Sequence, residues 1–494
     1  METFVRTVIF RPEHTKKEEK VKKTFCAMCI AFCLGAMNLY AQVAGSFPVI
    51  FNNLARATYA DSQIYIYSIG MNGGQWCYMT KDGTMLPMNA ADATAPGHLV
   101  KNGKNYPNYN FRLSEAQNFR IPPSVGGGRL YMSVGSPMYM TGSAGGVQLP
   151  DPNNPADPND DVYYDWFEYT YIYNSLQFGG NTTQVDLFGF PYVATVRQDA
   201  GGGVTNSFLD SCGVNIPRDQ VIKHFQDSMS TPFDSCIRPC RVVAPRSSIQ
   251  FATGHTYGNY LKPYLDSLWT LWKTAPLNFN NGNNHYIGTV NAGGTMVFTG
   301  AEAGSMAEPT TQMVWACAGF PGYVGAAFSA ALNRGVAGNG ADYYNPPSYY
   351  KRSPYMNEFS KVLHDISIHH LAYGFGYDDN NNQSSVLIVG SSKPLTSLTI
   401  TIEPFLTPVA AAVPVQKSAT GQPRVMYSSG NQVVLQNAGQ IKNVALISLN
   451  GKTVLGNVAV RNNMISTKGL TGGAYYVRIT DKQGRTSISK IVKW

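Results

Sequence analysis

The sequence predicts a mainly β chain with two β domains of unequal size: a large β-dominated domain that carries a helical insertion, and a small C-terminal β-sandwich. Three observations carry this. The 494 residues suit two or three domains. Gly (48) and Tyr (30) are abundant while charged residues make up only 14%, the mix of a turn-rich β protein with an aromatic, uncharged polar surface. And from about Gln42 to Pro404 short β runs such as "SQIYIYSIG", "GRLYMSVG", "GTMVFTG" and "SSVLIVG" are broken by Gly, Asn and Pro.

The elements follow in chain order. Lys16, Lys17, Lys20, Lys22 and Lys23 precede the apolar run "FCAMCIAFCL" and the small residue Ala41. This is the layout of a secretory signal over residues 1–41, with an apolar run too short to span a bilayer well. The main domain is expected over 42–405. Three segments in it have helical spacing: "RDQVIKHFQDSM" (218–229), "NYLKPYLDSLWTLWKT" (259–274) and "MNEFSKVLHDISIHHL" (356–371). In the second, Leu261, Tyr264, Leu265, Leu268 and Leu271 fall on one side. Residues 406–423, "LTPVAAAVPVQKSATGQP", read as a linker. Beyond it, over 424–494, four or five short strands make the small sandwich, with Asn450-Gly451 as a hairpin signal.

Charge divides along the same lines. Residues 42–420 hold 21 Lys/Arg against 25 Asp/Glu, and residues 421–494 hold ten against one, Asp481. The basicity therefore sits in the C-terminal module, and the main domain lacks the basic stripe of a nucleic-acid binder. Cys77, Cys212, Cys236, Cys240 and Cys317 lie after the signal, an odd number that allows at most two disulfides within one chain. "CIRPC" (236–240) could close a small loop or pair outward with Cys212. No His lies at ligand spacing from these cysteines, which leaves a metal site unsupported.

The stretch "YYDWFEYTYIYNSLQFGGNTTQVDLFGFPY" (163–192) carries the chemistry. Read as a hairpin with its turn near Gln177, it sets Glu168 opposite or nearly opposite Asp186. Thr170 shares the face of Glu168, and Tyr169, Tyr171, Val185 and Leu187 take the other. A slip of one residue would separate the acids. Two carboxylates on one face repel, and at least one should resist ionisation. That is costly as architecture and useful for glycoside hydrolysis, which needs one acid and one base or nucleophile. The bland alternative is one solvated acid and one paired with an Arg.

"DWFEYTY" followed by "NTTQVDLFGFPY" resembles the thaumatin-like superfamily, and within it glycoside hydrolase family 64, the bacterial endo-β-1,3-glucanases. "GGGRLYMS" (126–133), "NPADPND" (154–160) and "LAYGFGYDDNNNQSS" (371–385) fit the same family in the same order. The resemblance covers roughly residues 46–405. It implies a thaumatin-like β-sandwich or barrel with a mixed α/β lobe forming a wide groove, an inverting mechanism with Glu168 as general acid and Asp186 as general base, and no metal or organic cofactor. It further implies substrate contacts from Thr170 and an acidic cleft built with Arg129, Asp378 and Asp379. Trp166 and Tyr164 are candidate platforms for sugar faces, although a half-buried aromatic is more often core. Asp378-Asp379 could equally form an ordinary turn, and Arg129 could merely neutralise a carboxylate. His364, His369 and His370 read as packing or surface residues.

"GLTGGAYYVRITDKQGRTSISKIVKW" resembles the end of a type IX secretion sorting domain, which implies docking to export machinery. A carbohydrate-binding sandwich is the alternative for this module. The expected partner is a β-1,3-glucan, with no nucleic acid, and the expected state is a secreted or cell-surface monomer. A non-catalytic β-glucan-binding protein and an adhesin-like surface protein are the competing classes; the second leaves the paired acids without a reason.

Overall fold

A computed structural model describes residues 44–173, 177–198, 208–389, 395–407, 423–429, 432–448, 452–471 and 473–493. The expected signal at 1–41, most of the linker and the Asn450-Gly451 turn lie outside these residues. The chain divides into two compact units, Met1–Thr407 and Pro408–Trp494.

In the first unit two sheets face each other. The larger runs in the order Val386–Val389, Gln177–Asn181, Tyr163–Ile172, Val125–Val134, Ile64–Asn72, Gln75–Met79, Met85–Pro87, with Phe111–Arg112 added on Ile64–Asn72. The smaller runs Phe208–Gly213, Tyr192–Gln198, Ser397–Ile402, Phe47–Asn53, Arg120–Ile121. Its first and last strands in sequence, Phe47–Asn53 and Ser397–Ile402, pair in parallel and so tie the two ends of the domain together. Phe47, Val49, Leu398 and Ile400 from one sheet share a core with Ile66, Leu130, Phe167 and Tyr169 from the other. Each such side chain contributes about 1.5–3 kcal/mol on leaving water. Two packed sheets are a sandwich; among the described residues neither closes into the barrel that the sequence left open as an alternative.

The outer face of the large sheet carries its own cluster, including Tyr67, Ile69, Tyr131, Tyr164, Trp166 and Leu187. A mixed lobe completes the unit. It holds helices Arg218–Ser228, Lys262–Leu271, Thr311–Ala316, Gly322–Asn333 and Glu358–Ile366, and the sheet Leu277–Asn281, Asn284–Val290, Met296–Gly300, Gly304–Met306. The three helices expected from periodicity are present. In the second of them the buried side is Leu265, Leu268 and Trp269, with Trp272 just beyond, whereas Leu271 is 44% exposed. Leu261, Leu265, Leu268, Trp269 and Trp272 form one stripe at helical spacing, and Leu271 falls off that stripe toward solvent. Helix Gly322–Asn333 was not expected: it is buried nearly all round, so its Gly- and Ala-rich sequence shows no amphipathic stripe.

The five cysteines among the described residues are all free. The loop at 238–241 is closed instead by backbone hydrogen bonds in both directions between Arg238 and Arg241, which leaves the "CIRPC" disulfide unneeded.

The second unit is a two-sheet sandwich. Arg424–Ser429, Gln432–Gln436 and Met464–Ser466 form one sheet, and Thr453–Leu455, Ile441–Ser448, Gly473–Asp481 and Thr486–Lys493 the other. Val433, Leu435, Val444, Leu446, Val477 and Ile479 fill its core.

Candidate active site

Glu168 lies in the strand Tyr163–Ile172, whose two faces behave differently. Phe167, Tyr169 and Tyr171 point into the sandwich core. On the other face burial falls along the chain, from buried Tyr164 and Trp166 through half-buried Glu168 to exposed Thr170. The glutamate therefore stands where the aromatic cluster opens to solvent. Its neighbour across the sheet on one side is Asn181 and on the other Arg129.

The pairing corrects the expected hairpin register. Gly179 and Gly180 are not a turn; they sit inside the return strand opposite Thr170 and Tyr169. A Cβ at Gly180 would strike the ring of Phe167, so close packing, rather than a bend, demands that glycine. The bend comes earlier, between Ile172 and Gln177, with 174–176 outside the described residues. Asp186 is consequently not on the hairpin at all. The chain leaves the sheet after Asn181, and Asp186 immediately precedes the two-residue strand Leu187–Phe188, which pairs with Val242–Val243 in the lobe. The Ala244 N–H donates to the Asp186 carbonyl at 2.9 Å.

The two acids nonetheless share an environment. Arg129 forms an ion pair with Glu168, Nε to Oε1 at 3.0 Å, and feels the charge of Asp186 as well. Burial alone would lower the basicity of Arg129, but Tyr131, Glu168 and Asp186 outweigh it and the net shift is upward. Asp186 has a second arginine, Arg246, with Nε 3.4 Å from Oδ1, and the Ser247 hydroxyl donates to the same oxygen at 3.4 Å. The Glu168 and Asp186 side chains keep 29% and 38% of their surface open. Two acids set against two arginines, all part-exposed, form a charged patch reachable by ligand.

The other expected residues divide. Thr170 lies on the open floor, and its hydroxyl accepts from the Gly127 N–H at 3.3 Å. Trp166 is only 5% exposed and Tyr164 2%, so neither offers a sugar an open ring face. Trp166 instead donates its indole N–H to Glu168 Oε1 at 3.3 Å. Asp378 also differs from expectation: it is fully buried within the lobe. It accepts from Arg334 Nη2 at 3.1 Å, the Ser360 hydroxyl at 3.1 Å and the Gly374 N–H at 3.0 Å, and His364 Nε2 lies 3.1 Å away. Burial opposes its ionisation, but His364, Arg334 and these donors prevail and hold its pKa below the usual range. A carboxylate so committed has nothing left for substrate. Asp379, next to it, is exposed; desolvation first and the charge of Asp378 second raise its pKa.

Three residues near the acids carried no sequence argument. Tyr131 bonds to Arg129 from two positions along the same strand face, a period-two signal that was there to read. Tyr373 has its phenol pKa raised, by burial first and then by the charges of Asp379, Asp378 and Glu168, which places it between the acid strand and the lobe. Its carbonyl accepts from the Gln184 N–H at 3.0 Å. Arg246 sits in a short 3-10 turn with no local signature.

A sandwich bearing two part-exposed carboxylates beside a lobe that contributes an arginine to one of them suits the two-carboxylate chemistry of glycoside hydrolysis. The chain belongs to the β-1,3-glucanase family, glycoside hydrolase family 64, whose family model matches residues 47–402; it is a hydrolase of the endo-β-1,3-glucanase class. It is 22% identical over 429 residues to a "Glucan endo-1,3-beta-glucosidase" of Arthrobacter sp. (strain YCWD3), covering 80% of this chain and 74% of that protein. A protein of the same name from Cellulosimicrobium cellulans is 25% identical over 206 residues, 40% of this chain and 35% of that one. Among solved structures, the β-1,3-glucanase domain from Clostridium beijerinckii superposes with a TM-score of 0.65 at 27% identity, over 73% of this chain and 98% of that one. The laminaripentaose-producing β-1,3-glucanase of Paenibacillus barengoltzii, complexed with laminarihexaose, gives 0.59 at 29% identity, over 74% and 78%.

Proposed function

We propose that the protein cleaves β-1,3-glucan internally by single displacement with inversion, Glu168 serving as general acid and Asp186 as general base, and releases short oligosaccharides. The observation that carries this is the placement of donors around the two acids. Arg129 and the Trp166 indole both address Oε1 of Glu168. In this reading Oε2 carries the proton toward the glycosidic oxygen. Arg246 and Ser247 both address Oδ1 of Asp186. In this reading Oδ2 takes the proton from water.

In the reaction the Glu168 proton passes to the leaving oxygen as the bond to the anomeric carbon breaks. Water adds from the opposite face, and its proton goes to Asp186. Exchange with solvent restores both acids. Inversion needs room for that water, about 6.5–9.5 Å between carboxyl groups. Attachment of the acids to different elements, a sheet strand and a loop paired with the lobe, supports such a gap better than a cross-strand pair would. Thr170, the exposed carboxyl of Asp379 and Arg129 are the substrate contacts of this reading. The laminarihexaose complex of the Paenibacillus relative supports a linear β-1,3-glucan as the ligand.

The reading extends to location. The Lys-rich and apolar segment ending near Leu34 supports export, and the strongly basic C-terminal unit supports a sorting role for that module.

The test is to incubate the purified protein with a linear β-1,3-glucan and follow the anomeric form of new reducing ends by NMR, beside Glu168→Gln and Asp186→Asn. Initial α-anomers, with kcat lowered about 10²–10⁴-fold in each variant, are expected. Initial β-anomers, or a Glu168→Gln enzyme of undiminished kcat, would refute the assignment.

A further inference from the structure

A second carboxylate in the acid strand, Asp165, has no place in the chemistry above. It is completely buried and faces the sandwich interior, opposite to Glu168. Its oxygens are spent on backbone N–H groups. Oδ1 accepts from Trp166 at 2.8 Å, Oδ2 accepts from Gly189 at 2.9 Å, and the Phe190 N–H is a further donor to the carboxyl. Gly189 lies three residues after Asp186, as Glu168 lies three after Asp165. The Asp165–Gly189 bond therefore ties the strand just before the proposed acid to the loop just after the proposed base.

Other contacts brace the same crossing. The Tyr192 hydroxyl donates to the Trp166 carbonyl at 2.6 Å, and Arg218 Nε donates to the Gly189 carbonyl at 2.7 Å. Gly189 presses against the strand so closely that a Cβ there would run into the Tyr164 carbonyl oxygen. The loop carrying Asp186 is thus seated on the strand carrying Glu168 at one point.

We infer that Asp165 is a positioning residue for hydrolysis: its carboxylate clamps the Asp186 loop to the acid strand and so fixes the gap between the two reacting carboxyl groups. The inference rests on the two-carboxylate reading. A carboxylate is the group this site requires, because it alone among side chains of this size accepts from several N–H groups through two oxygens. An asparagine would turn an NH2 toward one of those N–H donors and release that side of the clamp. The effect falls on the transition state, where the water must lie in line, more than on the bound ground state.

The test compares Asp165→Asn and Tyr192→Phe with the wild-type enzyme on linear β-1,3-glucan, with Glu168→Gln and Asp186→Asn as controls. Folded fraction is read by near-UV circular dichroism, and kcat is expressed per folded molecule. Expected for Asp165→Asn is a fall in kcat of about 10²-fold with KM little changed, the size of effect that a displacement near 1 Å produces. Tyr192→Phe removes one brace at constant shape and is expected to lower kcat by a smaller factor, again at constant KM. This second variant decides the matter if Asp165→Asn fails to fold. Wild-type kcat per folded molecule in the variants, while both controls are inactive, overturns the clamp alone. Active controls overturn the two-carboxylate reading and the clamp together.

Discussion

Replacing Asp378 by Ala is expected to destabilise the catalytic unit by about 4 kcal/mol, the cost of removing one partner of a buried ion pair. The magnitude follows from what is left behind. Arg334 is 1% exposed, and its guanidinium is wedged over the Tyr349 ring at 4.6 Å. Without Asp378 it keeps the carbonyls of residues 378 and 380 but loses its counter-ion. The Gly374 N–H and the Ser360 hydroxyl lose an acceptor at the same moment. Unfolding a domain of roughly 360 residues has an entropy near 0.75 kcal/mol per kelvin at about 2.1 cal/mol/K per residue, so the melting temperature should fall by about 5 °C. Differential scanning calorimetry reads this directly. The pH dependence supplies a second check. Burial disfavours protonated His364, but Asp378 and the His370 carbonyl outweigh that and raise its pKa above 6.5. Its contribution is therefore fully present below about 6.5 and lost as pH rises through the raised value. The Asp378 pKa is depressed, so its contribution is present above 3.8 and lost as pH falls through the lowered value. The variant should lose both slopes. A melting temperature unchanged by Asp378→Ala, together with a large rise in KM, would refute the structural role and return Asp378 to the cleft.

Asp379→Asn should behave oppositely, leaving the melting temperature within about 1 °C, as surface substitutions do, while raising KM for glucan; a steady-state and calorimetric comparison of the two variants shows the contrast. Arg129→Lys should lower kcat about tenfold or more, since an ammonium cannot serve Glu168 through Nε while still reaching Tyr131; kinetics on linear β-1,3-glucan check it. Reductant should leave thermal stability unchanged, because all five described cysteines are free, whereas loss of a native disulfide typically costs about 2–5 kcal/mol. Burial raises the Asp165 carboxyl to about 7, so its clamp is complete only above that pH, and the kcat gap between wild type and Asp165→Asn should widen as pH rises through about 7; pH–rate profiles of the two enzymes read it.

What the sequence disclosed depended on the distance over which each decision is made. The face of Glu168 and Thr170 follows from a period of two along one strand and needs no partner, so it could be read directly. The turn expected near Gln177 takes in Gly179-Gly180, whose backbone freedom suits a bend, but the requirement at Gly180 is steric: the Phe167 ring occupies the space of a side chain there. No pattern local to the return strand reports a ring that arrives from its neighbour. Asp378 and Asp379 are adjacent and chemically alike, yet one is wholly buried and the other exposed. The difference lies in Arg334, His364 and Ser360, brought to Asp378 by two helices of the lobe. The placement of Asp186 is the same problem at larger scale. Its arginine is delivered by the pairing of Leu187–Phe188 with Val242–Val243, a two-residue ladder too short for strand propensity to announce. It is stable only because both pairs are fully buried. The face of Glu168 could therefore be read from its own strand, whereas the place of Asp186 and the arginines that face the two acids are set by contacts between elements, which no single strand's pattern reports.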